Sequence, residues 1–390
     1  MNDIPTPPID RFVADRLPPP SQCPRFVYDR PELRLPDRLN LVEELLDTAA
    51  AKGWAERPLL RSSRIVLSYA DVRDRVDRIA RVLMEDLGLA PGARVLLRGG
   101  NSIGLALAWL AVVKAGLVAV TTMPLLRARE LGDIIDKAQP AVALCDIRLR
   151  DELEAAREGR PVLREVVAFN SMDAPGSLAV RAAQKPGDFP AAPTGADDIA
   201  LMAFTSGTTG KSKAAVHSHR DVLAACECWP RHVLKATPED VVVGSPPLAF
   251  TFGLGGLLLF PMWAGASVYF PSIPYTPEAM VKLIGQVGAT ICYTAPTFYR
   301  QMAPFARTLG VGRLRICVSA GEGLPDATRQ LWKDAAGIEM LDGIGATEMF
   351  HIFISSAGDH VRRGAIGKPV PGYVAKAVGD DGQELPRGAI

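Results

Sequence analysis

Apolar positions along the chain change period several times, and each change marks an element. Val72, Val76, Ile79 and Leu83 recur at helical spacing. They follow Ser68-Tyr-Ala-Asp71, a capping box with Asp in the acidic role. Residues 94–97 and 117–120 read as short apolar strands on either side of a helix over 103–114. A helical stripe covers 127–138, with strands at 141–145 and 166–169 after it. A second alternating series opens at Ile199 and runs through strands near 241–243, 267–270, 290–293 and 314–318. Strands alternating with amphipathic helices predict an α/β fold of layered, mostly parallel sheets covered by helices. The chain has no internal repeat and no coiled-coil heptad.

The same pattern divides the chain. Residues 1–40 are proline-rich and aperiodic, and are expected to wrap the surface. A first α/β subdomain is expected over 41–170. Residues 171–198, rich in Pro, Gly, Ala and Asp, are expected to connect it over the surface to a second, 199–364. Residues 365–390 read as the start of a β subdomain. The chain stops just after the turn Asp380-Asp-Gly-Gln, in what looks like the first residues of a strand, which predicts a truncated chain.

Composition narrows the classes. At 390 residues the chain exceeds what one hydrophobic core usually supports. Its 48% hydrophobic and 22% charged residues are a soluble balance, and a net charge of +1 without a basic block argues against a nucleic-acid partner. The N-terminus carries acids and prolines where a signal peptide needs a basic start and an apolar stretch. No charged residue occurs from 241 to 277, but Pro246, Pro247, Pro261, Pro271 and Pro274 and clustered glycines interrupt that run. Buried strand, loop and helix are expected there rather than a membrane span. The six cysteines are scattered, and Cys226-Glu-Cys228 is not a zinc spacing, so reduced, buried thiols and a cytoplasmic location are expected.

Chemistry concentrates in Thr205-Ser-Gly-Thr-Thr-Gly-Lys-Ser-Lys213, which follows an apolar strand over 199–204. Glycines let backbone N–H groups approach an anion, hydroxyls add donors and lysine adds charge, so the run suits a polyphosphate. It nearly matches the Walker pattern, but that pattern's first glycine falls on Thr205. A Walker loop also opens directly into a helix. Here residues 214–217 look extended, and a helix is expected only after Ser218, with Asp221 completing its cap. A P-loop NTPase or a non-catalytic nucleotide-binding module stays open as the alternative class.

The run resembles the signature loop of the adenylate-forming superfamily of acyl-CoA synthetases, luciferases and peptide-synthetase adenylation domains. Ser212 and Ala214 stand where that family usually has Pro and Gly. A second stretch, Leu341-Asp-Gly-Ile-Gly-Ala-Thr-Glu348, is similar to its aromatic-Gly-x-Thr-Glu motif, with Ile344 at the aromatic position. The resemblance covers nearly everything after Leu41 and implies the N-terminal domain of such an enzyme. It implies ATP contacts from Thr205, Ser206, Gly207, Thr208, Thr209, Gly210 and Lys213, and from Gly321, Glu322 and Gly323 against adenine and ribose. Asp342 would meet the adenine amino group, Thr347 the α-phosphate, and Glu348 a Mg²⁺ ion, with Thr347, Glu348 and Lys213 as the catalytic set.

The acyl side looks nearest to benzoate-CoA and 2-aminobenzoate-CoA ligases. By that likeness Phe252 would line the carboxylate entry, and Thr251, Ala320, Gly345, Ala346 and His351 would surround an aromatic ring. A core role for Phe252 and His351 stays open beside it. The implied reaction joins an aromatic carboxylate to AMP and then to coenzyme A, with a slight lean to 2-aminobenzoate because Thr251 offers a hydroxyl to an ortho substituent. Another acyl-CoA synthetase or adenylation domain is the alternative within the family. A homodimer is allowed. The family's C-terminal lysine, ribose-binding aspartate and hinge would lie beyond residue 390, which implies that this chain alone is impaired in thioester synthesis.

Overall fold

A computed structural model describes residues 9–171, 174–205, 212–272, 275–386 and 388. Its strands are β1 (Pro58–Arg61), β2 (Val66–Ser68), β3 (Arg94–Arg98), β4 (Val118–Thr122) and β5 (Val142–Asp146). They continue with β6 (Glu165–Phe169), β7 (Ile199–Thr205), β8 (Lys213–Ser218), β9 (Val241–Gly244) and β10 (Ser267–Tyr269). The last five are β11 (Ile291–Thr294), β12 (Ile316–Ser319), β13 (Met340–Gly345), β14 (Ile352–Ser356) and β15 (Lys368–Pro369).

Two sheets result. The smaller runs β6-β5-β3-β4-β7-β8, and all its pairings are parallel except β7 with β8. The larger runs β15-β14-β13-β12-β11-β9-β10-β1-β2, parallel from β13 to β1 and antiparallel at both ends. The expected α/β class therefore holds. The sheets do not follow the sequence division at 171–198, however. Strands β1 and β2 join the later strands through β10, while β7 and β8 join the earlier ones through β4. Periodicity locates strands, but a neighbour across a sheet is chosen by contacts that it does not record. The stretch expected as plain connection also holds a helix, Leu178–Ala183, capped by Ser177 and burying Leu178 and Ala182 one turn apart.

Local signals explain most boundaries. The Ser68 capping box is present and opens the helix Tyr69–Arg81. Ser102 caps the helix Ile103–Lys114, in which every residue from Leu105 to Lys114 is buried. Such all-round burial removes the polar face that would make a helix stripe visible, and marks a helix enclosed in the molecule. Lys114 at its end is wholly buried between the carboxylates of Asp47, at 2.7 Å, and Asp77, at 2.5 Å. Removing either acid would leave that cation short of a partner, which is costly in a dry interior. The uncharged 241–277 stretch becomes β9, a helical run over 251–264 and β10. No helix among the described residues is long and apolar enough to cross a membrane.

One hydrophobic cluster spans both sheets, from Val95 and Leu97 to Val242, Ile291 and Val318. Because β9, β11, β12 and β13 run parallel, the loops after them leave the sheet at one edge. That edge gathers residues 245–252, 320–323 and 346–351.

Candidate functional site

Strands β7 and β8 form a hairpin closed by the pair Thr205↔Lys213. Ser206, Gly207, Thr208, Thr209, Gly210 and Lys211 lie outside the described residues. At the hairpin's base Lys213 is exposed and Thr205 half-buried, and Lys137 Nζ donates to the Ser212 carbonyl at 2.7 Å. The loop leads into a strand, not a helix. The helix His219–Trp229 begins only after Ser218, whose hydroxyl accepts from Asp221 N while the Asp221 carboxylate accepts from Ser218 N. A Walker loop needs a helix N-terminus on its phosphates, so the P-loop alternative is set aside.

The second wall lies where β12 and β13 end. Ser319 pairs with Asp342 across the parallel ladder. Beyond Ser319, Ala320 is buried, and Gly321, Glu322 and Gly323 are exposed, with Gly321 at φ +89° where a side chain would be strained. Thr297 donates its hydroxyl to the Glu322 carboxylate. Asp342 is nearly buried, and burial pushes its carboxyl above the usual range. The Gly343 N–H and the Arg329 guanidinium, 3.7 Å away, oppose that rise. After Gly345 the chain turns through Ala346 and a tight 3₁₀ turn, Thr347–Met349, that leaves Thr347 half-buried and Glu348 exposed.

His351 ends this turn in a different environment. Its ring is 3% exposed and packs against Phe260 at 4.6 Å, Phe252 at 5.3 Å, Trp229 at 5.7 Å and Tyr293 at 6.3 Å between centroids. Trp229 Nε1 donates to the Tyr293 hydroxyl at 3.1 Å, which fixes two of those rings together. Neither His351 ring nitrogen has a hydrogen-bond partner among the described residues. Burial drives its pKa down to about 3, although the Phe252 backbone lies near enough to oppose the shift. The ring is therefore neutral at ordinary pH, with one donor and one acceptor unspent. Glycines make this packing feasible. A Cβ on Gly255 would fall 2.9 Å from His351 Cδ2, and one on Gly256 would fall 2.7 Å from the Tyr293 ring.

Of the residues expected around the acyl group, Phe252 meets the His351 ring, and Gly345 meets the His351 backbone. A Cβ on Gly345 would lie 3.1 Å from the His351 carbonyl oxygen. Ala320 belongs to the same core cluster, Thr251 is buried beside Phe252 at the start of the helix Thr251–Leu254, and Ala346 is half-buried in extended backbone. Sequence reasoning missed Lys137, Arg329, Trp229, Phe260 and Tyr293. Each lies far along the chain from the motif it touches, so no local signal marks it. His217, four residues beyond Lys213 in β8, was missed although strand alternation puts both on one face.

Comparison with known proteins places the chain in a family. The AMP-binding enzyme family matches residues 47–390. A benzoate–CoA ligase of Thauera aromatica is 32% identical over 357 residues, covering 91% of this chain and 68% of the relative. A p-hydroxybenzoic acid–AMP ligase, FadD22, of Mycobacterium tuberculosis is 32% identical over 344 residues, covering 88% of this chain but only 46% of the relative. The crystal structure of the anthranilate CoA ligase AuaEII in complex with anthranoyl-AMP superposes with a TM-score of 0.86 at 31% identity, covering 92% of this chain and 70% of that one. The chain thus spans between about half and about two thirds of these proteins.

Proposed function

The chain belongs to the AMP-binding enzyme family, and on that footing we propose that it activates a benzoate-sized aromatic carboxylate with ATP, on the way to the coenzyme A thioester. The observation that carries this reading is the junction of two unlike surfaces. The Thr347–Met349 turn, with Glu348 exposed, and the aromatic cluster around His351 are continuous in the chain, and Gly345 backs directly on His351. An acid seated against the rings would present its carboxylate to a nucleotide held beside the turn. Apolar walls with one or two polar groups suit a substituted benzoate.

In the proposed reaction a carboxylate oxygen attacks the α-phosphorus of ATP. An acyl–phosphate bond forms, the bond to the β-phosphate breaks, and pyrophosphate leaves. The coenzyme A thiol then attacks the acyl carbon, and AMP leaves. The protein's part is positioning and charge stabilisation. Lys213 at the hairpin base would hold phosphate, together with the loop 205–210. Thr347 would donate to the α-phosphate, and Asp342 would accept from the adenine amino group. Gly321, Glu322 and Gly323 would lie against adenine and ribose. Glu348 is exposed and has no ion pair or side-chain hydrogen bond among the described residues, which fits a carboxylate reserved for Mg²⁺. When bound, that ion would neutralise phosphate oxygens on both sides of the breaking bond. Thr251 and His351 would be the polar groups beside a bound ring. They favour an acid with a hydrogen-bonding substituent, and Thr251 leans the choice to 2-aminobenzoate.

Calorimetry with benzoate and 2-aminobenzoate, with and without ATP and Mg²⁺, tests the reading. Binding of an aromatic acid that ATP strengthens is expected. Nucleotide binding or hydrolysis indifferent to every aromatic acid would reject it.

A further inference from the structure

We propose that His217 is a positioning residue that fixes the Thr347–Met349 turn to the β7–β8 hairpin, so that the two move as one. What the turn is used for rests on the proposed function; the coupling itself does not.

The geometry is specific. His217 is 3% exposed, and its Nε2 lies 2.7 Å from the Thr347 carbonyl oxygen. A carbonyl can only accept, so Nε2 carries the proton. The same oxygen also accepts from Phe350 N at 3.1 Å, the bond that closes the turn. Both of its lone-pair positions are then used, one from within the turn and one from β8. The Phe350 ring meets the imidazole edge-on, with centroids 5.5 Å apart and planes at 83°. Phe350 itself sits at φ +65° and ψ −47°, the strained γ-turn conformation closed by His351 N donating to the Met349 carbonyl at 2.8 Å, which a non-glycine residue holds only when its surroundings impose it. His217 supplies part of that imposition, through its ring and through the carbonyl it grips.

The strand carries the coupling to a definite place. Lys213 and His217 lie on one face of β8, about 13 Å apart along it. One end of the strand closes the loop that resembles a phosphate-binding run, and the other grips the turn that bears Thr347 and Glu348. An extended, sheet-paired strand is a stiff spacer. It would set the distance between the phosphates held at the loop and the carboxylate of Glu348. Misplacement by about 1 Å is enough to lower a reaction rate about 10²-fold. The device does not depend on pH, since neutral imidazole with Nε2–H and imidazolium both donate to a carbonyl. Burial favours the neutral form, against the opposing effect of the Thr347 carbonyl, Asp221 and Glu348.

A packed histidine with no coupling role would give different results. His217→Phe keeps a ring of similar shape but removes the donor, and His217→Gln puts an amide N–H near the Nε2 position. In His217→Phe, amide hydrogen exchange at residues 347–351 is expected to quicken about tenfold while the rest of the chain is unchanged. Affinity for ATP with Mg²⁺ is expected to fall about tenfold, and affinity for ATP without Mg²⁺ less than about twofold. His217→Gln should restore both to within about threefold. His217→Asn, whose amide falls at the Nδ1 position, should fail as Phe does, and it serves if the Phe variant does not fold. Unchanged exchange at 347–351, a uniform rise across the chain, or no rescue by Gln would overturn the proposal. If the wild-type chain binds no nucleotide, the proposed function fails, and the exchange experiment still decides the coupling.

Discussion

The two halves of the site are built on opposite principles. The half toward the hairpin and the Thr347–Met349 turn is polar and largely exposed, with Lys213, Gly321, Glu322 and Glu348 all open to solvent. The half around His351 is dry, with four aromatic rings packed against one imidazole that has no hydrogen-bond partner among the described residues. Exposed groups change binding and rate with little effect on stability, whereas groups locked in a packed interior change stability as well. Substitutions in the two halves should therefore be told apart by which quantity moves first.

The largest effect is expected on the open half. Glu348→Gln should lower acid-dependent pyrophosphate exchange, in the chain extended to its relatives' length, by at least about 10²-fold. The melting temperature should barely move, because the side chain is exposed and unpaired among the described residues. Unchanged exchange activity would remove Glu348 from the chemistry. Lys213→Ala should weaken ATP binding about tenfold, the size of one charge-assisted contact to a phosphate. Lys211→Ala should weaken it less, and equal effects in a titration would misplace the loop.

On the dry half the expected order reverses, with stability affected first. Gly256→Ala places a methyl 2.7 Å from carbons of the fully buried Tyr293 ring. The ring cannot swing away, because its hydroxyl is held by Trp229. Overpacking of this kind costs about 1–3 kcal/mol, readable as a shift of the urea midpoint at constant slope. A neutral result would mean the rings have slack, and the contrast between the halves would weaken.

The contrast also decides what could be read from sequence. Both signature runs of the open half are contiguous, because a polyphosphate is gripped by consecutive backbone N–H groups and hydroxyls. Helix starts at Ser68 and Ser218 were legible for a similar local reason, since a cap needs only its own first turn. The dry half comes from residues 229, 252, 260, 293 and 351, brought together only by sheet order and helix packing. Sheet order was also what the sequence division at 171–198 missed. The strand before the loop at 205–213 and the extended run after it could be placed, but that β7 lies against β4 rather than β9 is a tertiary choice with no periodic signature.

Acid should expose the dry half more gently. His351 and His219 are both buried, with pKa values pushed down to about 3 and about 4. Each stays neutral in the folded chain at a pH where its unfolded counterpart takes a proton. The unfolded state then binds more protons, so stability is intact above about pH 6.5 and falls as pH drops toward those native values. The slope is at most about 1.4 kcal/mol per pH unit for each histidine. His351→Leu should flatten its share of the fall between about pH 6 and about pH 4, measured as unfolding free energy in urea. An unaltered slope would mean that His351 meets water in the native state.

The smallest effect concerns selectivity. Thr251 is 5% exposed at the start of the helix Thr251–Leu254, next to Phe252 in the ring cluster. Thr251→Val exchanges the hydroxyl for a methyl at nearly constant volume, so the rings should keep their packing and benzoate should bind as before. If the hydroxyl meets the ortho amino group of 2-aminobenzoate, that acid alone loses a neutral hydrogen bond, about 0.5–1.5 kcal/mol, or roughly two- to tenfold in affinity. The ratio of the two dissociation constants is the quantity to measure, since a general loosening of the site would lower both affinities together. An unchanged ratio would leave the neutral imidazole of His351, with its unspent donor and acceptor, as the group that reads the substituent. His351→Leu would then be the variant that shifts it.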